Sequence, residues 1–292
     1  MITKVVEAKQ SGARLSRYLA QIPVVGSRKR AEKWLKQQHI LVNDQPALGS
    51  RMLKCGDKVE ILPPKSTLSQ WEFNLEVIFQ NQQFAIINKP AGIHVSGNHQ
   101  RTVRRALSYN LHPSTSADRL PQPEPLHRLD RRTSGLLVIA KTVSAQINIH
   151  RAFADRQVTK KYQAVVSGWA ENGTSNAPID GKDAHSRWTV LQRVQHRSRE
   201  WITLVEVRIT TGRTHQIRRH LSAAGHPILG DDLYNDSPAL LRGKGLFLCA
   251  TELSFPNPIT SVQHHFQIPA PSKFNRYLIR QAQRALTCDT NK

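Results

Sequence analysis

Hydrophobic positions near the start of this chain follow a helical spacing. Leu15, Tyr18 and Leu19 fall on one face. A second helix follows, with Ser27 as its cap, Ala31, Trp34 and Leu35 facing inward, and Lys29, Lys33 and Lys36 along the outer face. The period then changes to that of strands. Ile40-Leu41-Val42-Asn43 reads as extended, Asn43-Asp44 and Cys55-Gly56-Asp57 as turns, and residues 58–62 as an alternating strand. Pro63-Pro64-Lys65-Ser66-Thr67 reads as a linker, which separates a small α+β unit at residues 1–65 from a larger one at 66–292.

Beyond that linker, short apolar runs dominate. Phe84-Ala85-Ile86-Ile87 predicts a buried strand that ends in the turn sequence Asn88-Lys89-Pro90-Ala91-Gly92. Residues 111–126, rich in Pro and Ser, predict a loop. Residues 136–140, 162–166 and 246–250 predict strands. In residues 201–210, Val205, Val207 and Ile209 alternate with Glu206 and Arg208, a stronger strand pattern. Thr211-Gly212-Arg213 turns the chain, and Thr214 opens a helical pattern with Ile217 and Leu221 on one side. Many strands with interspersed helices predict an α+β protein built on a mixed, largely antiparallel extended sheet.

Charge changes this picture from a generic fold to a class of partner. The chain of 292 residues has 42 Lys+Arg against 21 Asp+Glu, a net charge of +21. Basic residues outnumber acidic ones on both sides of residue 65, so the excess is not a tail on a neutral enzyme. Such a chain attracts polyanions, nucleic acid first. No apolar run approaches the roughly 20 residues of a spanning helix. Residues 1–10, MITKVVEAKQ, have no apolar signal core, so membrane association is not expected. Cys55, Cys249 and Cys288 are widely spaced and odd in number, which suits a reducing, cytoplasmic setting. There is neither an HExxH motif nor a Cys/His cluster, so no metal is expected.

The densest chemistry lies in HRLDRRTSGLLVIAKT, residues 127–142. Asp130 stands between Arg128 and Arg131-Arg132. Neighbouring positive charge favours the charged form of a carboxylate, and a positioned carboxylate can serve as nucleophile or base. Gly135 reads as a point of close backbone packing at the start of the strand.

Two resemblances give these residues a context. Through RLSRYL, SRKRAEKWL, ILVND and GDKVEIL, residues 13–62 resemble the alpha-L motif, an RNA-binding domain named from a small-subunit ribosomal protein. Ser16 departs from the aspartate often found at its place. The resemblance implies that Arg28, Lys29 and Lys33 contact phosphates, which adds affinity and orientation but no sequence choice. Further on, NKPAGIHV at 88–95, the string at 127–142, KKYQAVVSG at 160–168 and TGRTHQIRRHLSAAGHPILGD at 211–231 resemble, in this order, the RluA-type pseudouridine synthases. This likeness spans about residues 75–256.

The second resemblance implies the pseudouridine synthase fold, with helices and loops lining a catalytic cleft. It also implies conversion of uridine in RNA to pseudouridine without metal, cofactor or nucleotide triphosphate. Asp130 matches the catalytic aspartate, which attacks the sugar C1′ or removes a proton from C2′. Tyr162 matches the active-site tyrosine, whose ring is expected to stack on the uracil and whose hydroxyl to help in the final proton transfer. Arg218 matches the arginine that pairs with the aspartate, while its neighbour Arg219 points elsewhere. Arg128 is expected at the flipped nucleotide or on a phosphate, or else in a structural salt bridge. Ile217 is expected to line the base pocket or the core, and His127 and Arg213 to hold the loops that border the substrate. Pro178-Ile179-Asp180 resembles a PI-G segment of the family. The expected partner is structured RNA, ribosomal RNA before transfer RNA, bound by a monomer. A catalytically inactive RNA-binding or ribosome-assembly factor is the competing reading, and the filled positions 130, 162 and 218 weigh against it. A nuclease or glycosidase would need paired carboxylates, which are not evident here.

Overall fold

The structure, a computed structural model, describes the chain apart from residues 1, 23, 63–69, 197–199, 236–243, 259, 261 and 290–292. The expected linker at 63–67, with the boundary after residue 65, lies outside the described residues, as does the side chain of Cys288.

Residues 2–61 form a four-stranded antiparallel sheet in the order Ile2–Val5, Lys58–Ile61, Ile40–Val42, Gln45–Pro46, with the helices Leu15–Gln21 and Arg28–Lys36. The expected helix faces are the buried ones: Leu15, Tyr18, Leu19, Ala31, Trp34 and Leu35 share one core with Ile40, Val42, Val59 and Ile61. Ser27 Oγ accepts from the Arg30 N–H at 3.2 Å and caps the second helix. Asn43 and Asp44 take left-handed conformations, φ 53 and 63, so the short hairpin closes through the mirror-image turn that matches strand twist.

A second sheet carries the rest. Its ten strands form a path ordered Gly173–Ser175, Ser186–Gln195, Trp201–Ile209, Thr159–Ser167, Leu248–Pro256, Ser134–Thr142, Phe84–Lys89, Glu76–Gln80, with Gln263–Gln267 and Arg119–Pro125 as side branches. All pairings are antiparallel except that of Leu248–Pro256 with Ser134–Thr142. This is the mixed α+β sheet expected from the pattern. The expected strand at 246–250 is displaced, running instead over Leu248–Pro256.

One expectation fails in part. Residues 111–126 are not all loop, because Arg119–Pro125 pairs with Ser134–Thr142. The Leu126 N–H donates to Val138 O at 3.0 Å, which fixes the direction of the alternate residues. Pro125, next to it and opposite Ile139, therefore turns its missing donor away from the partner strand, where proline is tolerated.

Gly135 sits at the parallel seam, with its Cα opposite Ala250 and φ at 117. A Cβ there would lie 2.2 Å from Ala250 O, so only glycine allows these two strands to meet. Ala250 in turn pairs with Tyr162. The close approach thus draws the turn that contains Asp130, just before Ser134, toward the strand that carries Tyr162.

Candidate active site

A cleft of about 500 Å³ opens beside this seam. Asp130, Tyr162, Arg218, Arg128, Ile217, His127 and Arg213, singled out from three separate sequence segments, all line it. They arrive from the turn before Ser134–Thr142, from the strand Thr159–Ser167 and from the start of the helix Gln216–Ala223.

Asp130 is half-buried, and each of its carboxylate oxygens faces a different group. Arg218 Nη1 lies 3.9 Å from Oδ2 and His215 Nε2 lies 3.9 Å from Oδ1. Arg131 and Arg132, adjacent in sequence, turn elsewhere. Arg131 Nε donates to Gly92 O at 3.1 Å, while Arg132 donates to Gly230 O at 2.8 Å and pairs with Asp232. Lys89 underpins the turn. It is fully buried and its Nζ donates to Pro90 O at 2.8 Å, Ile93 O at 2.9 Å and Arg131 O at 3.2 Å. Burial pushes the Lys89 ammonium down to about 8.

Arg218 differs from expectation in its closest partner. Its Nε and Nη2 both donate to Asp231, each at 2.7 Å, in a buried bidentate pair. The remaining amine, Nη1, is the one that reaches toward Asp130. Arg218 is 2% exposed. Burial alone would raise the Asp231 carboxyl, but hydrogen bonds from Arg218 and from the N–H groups of Leu233 and Tyr234 hold it below its ordinary range. The Tyr234 ring lies 5.1 Å from the guanidinium, and its hydroxyl is 2.9 Å from His215 Nδ1. His215 itself has a left-handed backbone, φ 55, at the helix start. Burial keeps its imidazole below the ordinary range despite the facing carboxylate. Arg219 points elsewhere, as expected, and pairs with Asp180 at 2.9 Å.

Tyr162 is buried beside Asp130. Burial first, and then the charge of Asp130, pushes its hydroxyl well above the ordinary phenol range, so the ring keeps its proton. Lys160, two positions earlier on the same strand face, also lines the cleft. Its Nζ donates to Thr211 O at 3.3 Å, and burial pushes it down to about 8. Ile217 belongs to both the cleft wall and the core. Arg213 Nε donates to Asp183 O at 2.8 Å, which ties two loops together. Arg128 is exposed at the cleft and has no carboxylate partner among the described residues.

His127 Nε2 accepts from the Val138 N–H at 3.2 Å, so its proton is assigned to Nδ1. Desolvation holds the imidazole down to about 3. A histidine whose folded pKa is depressed contributes stability above its unfolded value, and loses it as pH falls through the folded value. The protein is therefore expected to lose stability between about pH 6.5 and pH 3. His127→Gln, weaker at neutral pH, should lose less over that window. Melting curves across this pH range check it, and parallel slopes for the two proteins would refute it.

Arg28, Lys29 and Lys33 lie on the exposed face of the helix Arg28–Lys36. Arg28 pairs with Glu32 at 3.1 Å, whereas Lys29 and Lys33 have no carboxylate partner among the described residues.

Sequence reasoning assigned no role to Lys89, Lys160, His215, Asp231 or Tyr234. Strand alternation from Tyr162 was the signal that would have found Lys160. His215 and Asp231 stood inside the recognised segment 211–231.

Comparison with known proteins identifies the family. The RNA pseudouridylate synthase family matches residues 83–223, and the S4 domain matches residues 13–59. An uncharacterised RNA pseudouridine synthase of Aquifex aeolicus is 31% identical, over 94% of this chain and 96% of its own length. The chain belongs to the RNA pseudouridine synthases. It is thus an isomerase that converts uridine in RNA to pseudouridine, as its motifs implied. Ribosomal large subunit pseudouridine synthase D of Haemophilus influenzae is 29% identical over 92% of this chain and 91% of that protein. Among solved structures, human RNA pseudouridylate synthase domain containing 4 shares the fold with a TM-score of 0.56 at 24% identity, covering 72% of this chain and 92% of that one. No helix among the described residues is long and apolar enough to cross a membrane.

Proposed function

We propose that this RNA pseudouridine synthase acts on ribosomal RNA and that Asp130 is its catalytic carboxylate. The observation that carries the catalytic reading is the pairing of Asp130 with Arg218 and His215 beside the Tyr162 ring in one cleft. A uridine in folded RNA must be extruded before a carboxylate can reach its sugar, at a cost of a few kcal/mol. The cleft has the volume of a site for one small ligand. Asp130 then attacks C1′, or takes the C2′ proton, as the bond from C1′ to N1 breaks. Arg218 and His215 hold the carboxylate in place. Tyr162, which retains its proton, works by stacking on the freed uracil so that the base stays and rotates. C5 then bonds to C1′ as the ester to Asp130 breaks or, on the other route, as Asp130 returns its proton to C2′; the C5 proton is lost and N1 takes one up, so atoms balance without a co-reactant. Arg128, which has no carboxylate partner among the described residues, meets a phosphate or the place vacated by the flipped base. Ile217 borders the base, and Lys160 offers a cation within the cleft.

Support for ribosomal RNA comes from the S4 domain with exposed Arg28, Lys29 and Lys33, and from relatives named for the ribosomal large subunit. Residues 1–65 would position structured RNA by its phosphates while the cleft of residues 66–292 tests the base. Pseudouridine mapping of total RNA, with and without the gene, tests this reading. At least one ribosomal RNA site is expected to disappear on deletion and return with the wild-type gene. Loss confined to transfer RNA would overturn the target, and loss of no site would leave only a binding role.

A further inference from the structure

A second groove lies at the opposite end of the strand that pairs with the Tyr162 strand. Tyr162 is opposite Val207, while Trp201 begins that strand, about 20 Å away at the usual rise per residue. The bulge in this ladder lies in the partner strand, opposite the consecutive residues Leu204 and Val205, so the even spacing puts Trp201 on the same sheet face as Val207. The groove is lined by Trp169, Leu191, Arg193 and Trp201, and none of these lines the Asp130 cleft.

Three features make this a prepared surface. Trp169 is 48% exposed, yet its ring is fixed edge to face against Trp201, centroids 4.6 Å apart. The Arg193 guanidinium lies 4.3 Å from the Trp169 ring centroid, and its Nε and Nη2 both donate to Ala170 O, at 3.0 and 2.8 Å. Its Nη1 makes no hydrogen bond with the described residues. Between Val190 and Gln192 the strand register shifts, which leaves Leu191 as the extra residue of a bulge, 49% exposed beside the ring. Bulges re-aim side chains in this way. An exposed indole and a fixed guanidinium with a spare donor form the chemistry that receives an unpaired nucleotide, with the base on the ring and the phosphate on the amine.

We propose that the Trp169–Arg193–Trp201 groove is a second RNA-binding site, which stacks an unpaired base of the substrate RNA outside the catalytic cleft. The choice of RNA over a protein partner rests on the +21 charge of the chain and on its activity toward RNA. Glu171 also borders the groove, so the stacked base and the single cation, rather than a broad basic patch, provide the recognition.

The test uses the full chain and a single-stranded 5-iodouridine RNA of about twelve nucleotides, with a duplex of the same length as control, at moderate salt to suppress general phosphate binding. Ultraviolet cross-linking with peptide mapping is expected to place the single strand on Trp169 or Trp201. Trp169→Ala should weaken single-strand binding by about five- to a hundredfold, the range for one stacked base, and leave duplex binding unchanged. Trp169→Phe should retain most of the affinity, and Arg193→Gln should lose part of it. Unchanged melting temperatures exclude misfolding. Unchanged affinity in Trp169→Ala, cross-links that never fall on Trp169 or Trp201, or loss of a bound protein rather than of RNA would each overturn the proposal. The assay reads binding without turnover, so its outcome is separate from the assignment of Asp130.

Discussion

Asp231→Asn is expected to cost the protein both stability and turnover. Arg218 is buried, and two of its three guanidinium nitrogens are held by Asp231 at 2.7 Å. Removing the charged partner leaves that cation uncompensated in the interior, a change that typically costs about 3–5 kcal/mol. For a chain of this size the melting temperature should fall by roughly 10 °C. The neutral amide also frees Arg218 to shift toward Asp130, from which its third nitrogen is now 3.9 Å away. The carboxylate would then be paired too tightly and misaimed, so kcat should fall about a hundredfold while RNA affinity, set elsewhere, changes little. Asp231→Glu should restore part of both losses. Thermal melting and single-turnover rates check the pair of effects. A variant with unchanged melting and rate would show that Asp231 does not support Arg218.

Asp130→Asn should have the larger effect on chemistry and the smaller one on structure. The amide nearly matches the carboxylate in shape, and the residue is half-buried with no contact shorter than 3.9 Å to Arg218 or His215. Folding should therefore be almost unchanged. The amide can neither attack C1′ nor accept the C2′ proton, so turnover should fall by at least about ten-thousandfold. RNA binding should stay within a few-fold, because phosphate contacts supply most of the affinity.

Much of this site was legible in the sequence because its segments are long and ordered. HRLDRRTSGLL carries both Asp130 and the Gly135 that lets the seam close, and GRTHQIRRHL carries Arg218. Segment likeness conveys which residues are present but not which nitrogen faces which oxygen. The bidentate grip of Asp231 on Arg218 therefore required the fold, as did the turning of Arg131 and Arg132 toward backbone carbonyls. In the fold, strands with clean alternation, such as Trp201–Ile209, were readable. Arg119–Pro125 was not, since its prolines mark a loop unless the pairing direction of the alternate residues is known. The helix Val143–Ala154 was hidden because its buried residues, Val143, Ala145, Ile149 and Ala152, continue directly from a buried strand. Length and capping separate such runs only once Thr142 is seen to accept from the Ala145 N–H at 3.3 Å. The Trp169 groove left no trace, because its parts come from two strands and a connecting segment.

The role of Asp130 can be measured at the bond that changes. Forming the new link to C5 expels the C5 hydrogen, so RNA carrying tritium at uridine C5 releases it to water only when isomerisation is completed. With ribosomal RNA from cells lacking the gene, the wild-type protein is expected to release tritium in proportion to the sites that are missing. Asp130→Asn, bound to the same RNA with similar affinity, is expected to release none above background. Release by Asp130→Asn at a rate near wild type would contradict the assignment of this carboxylate to the reaction.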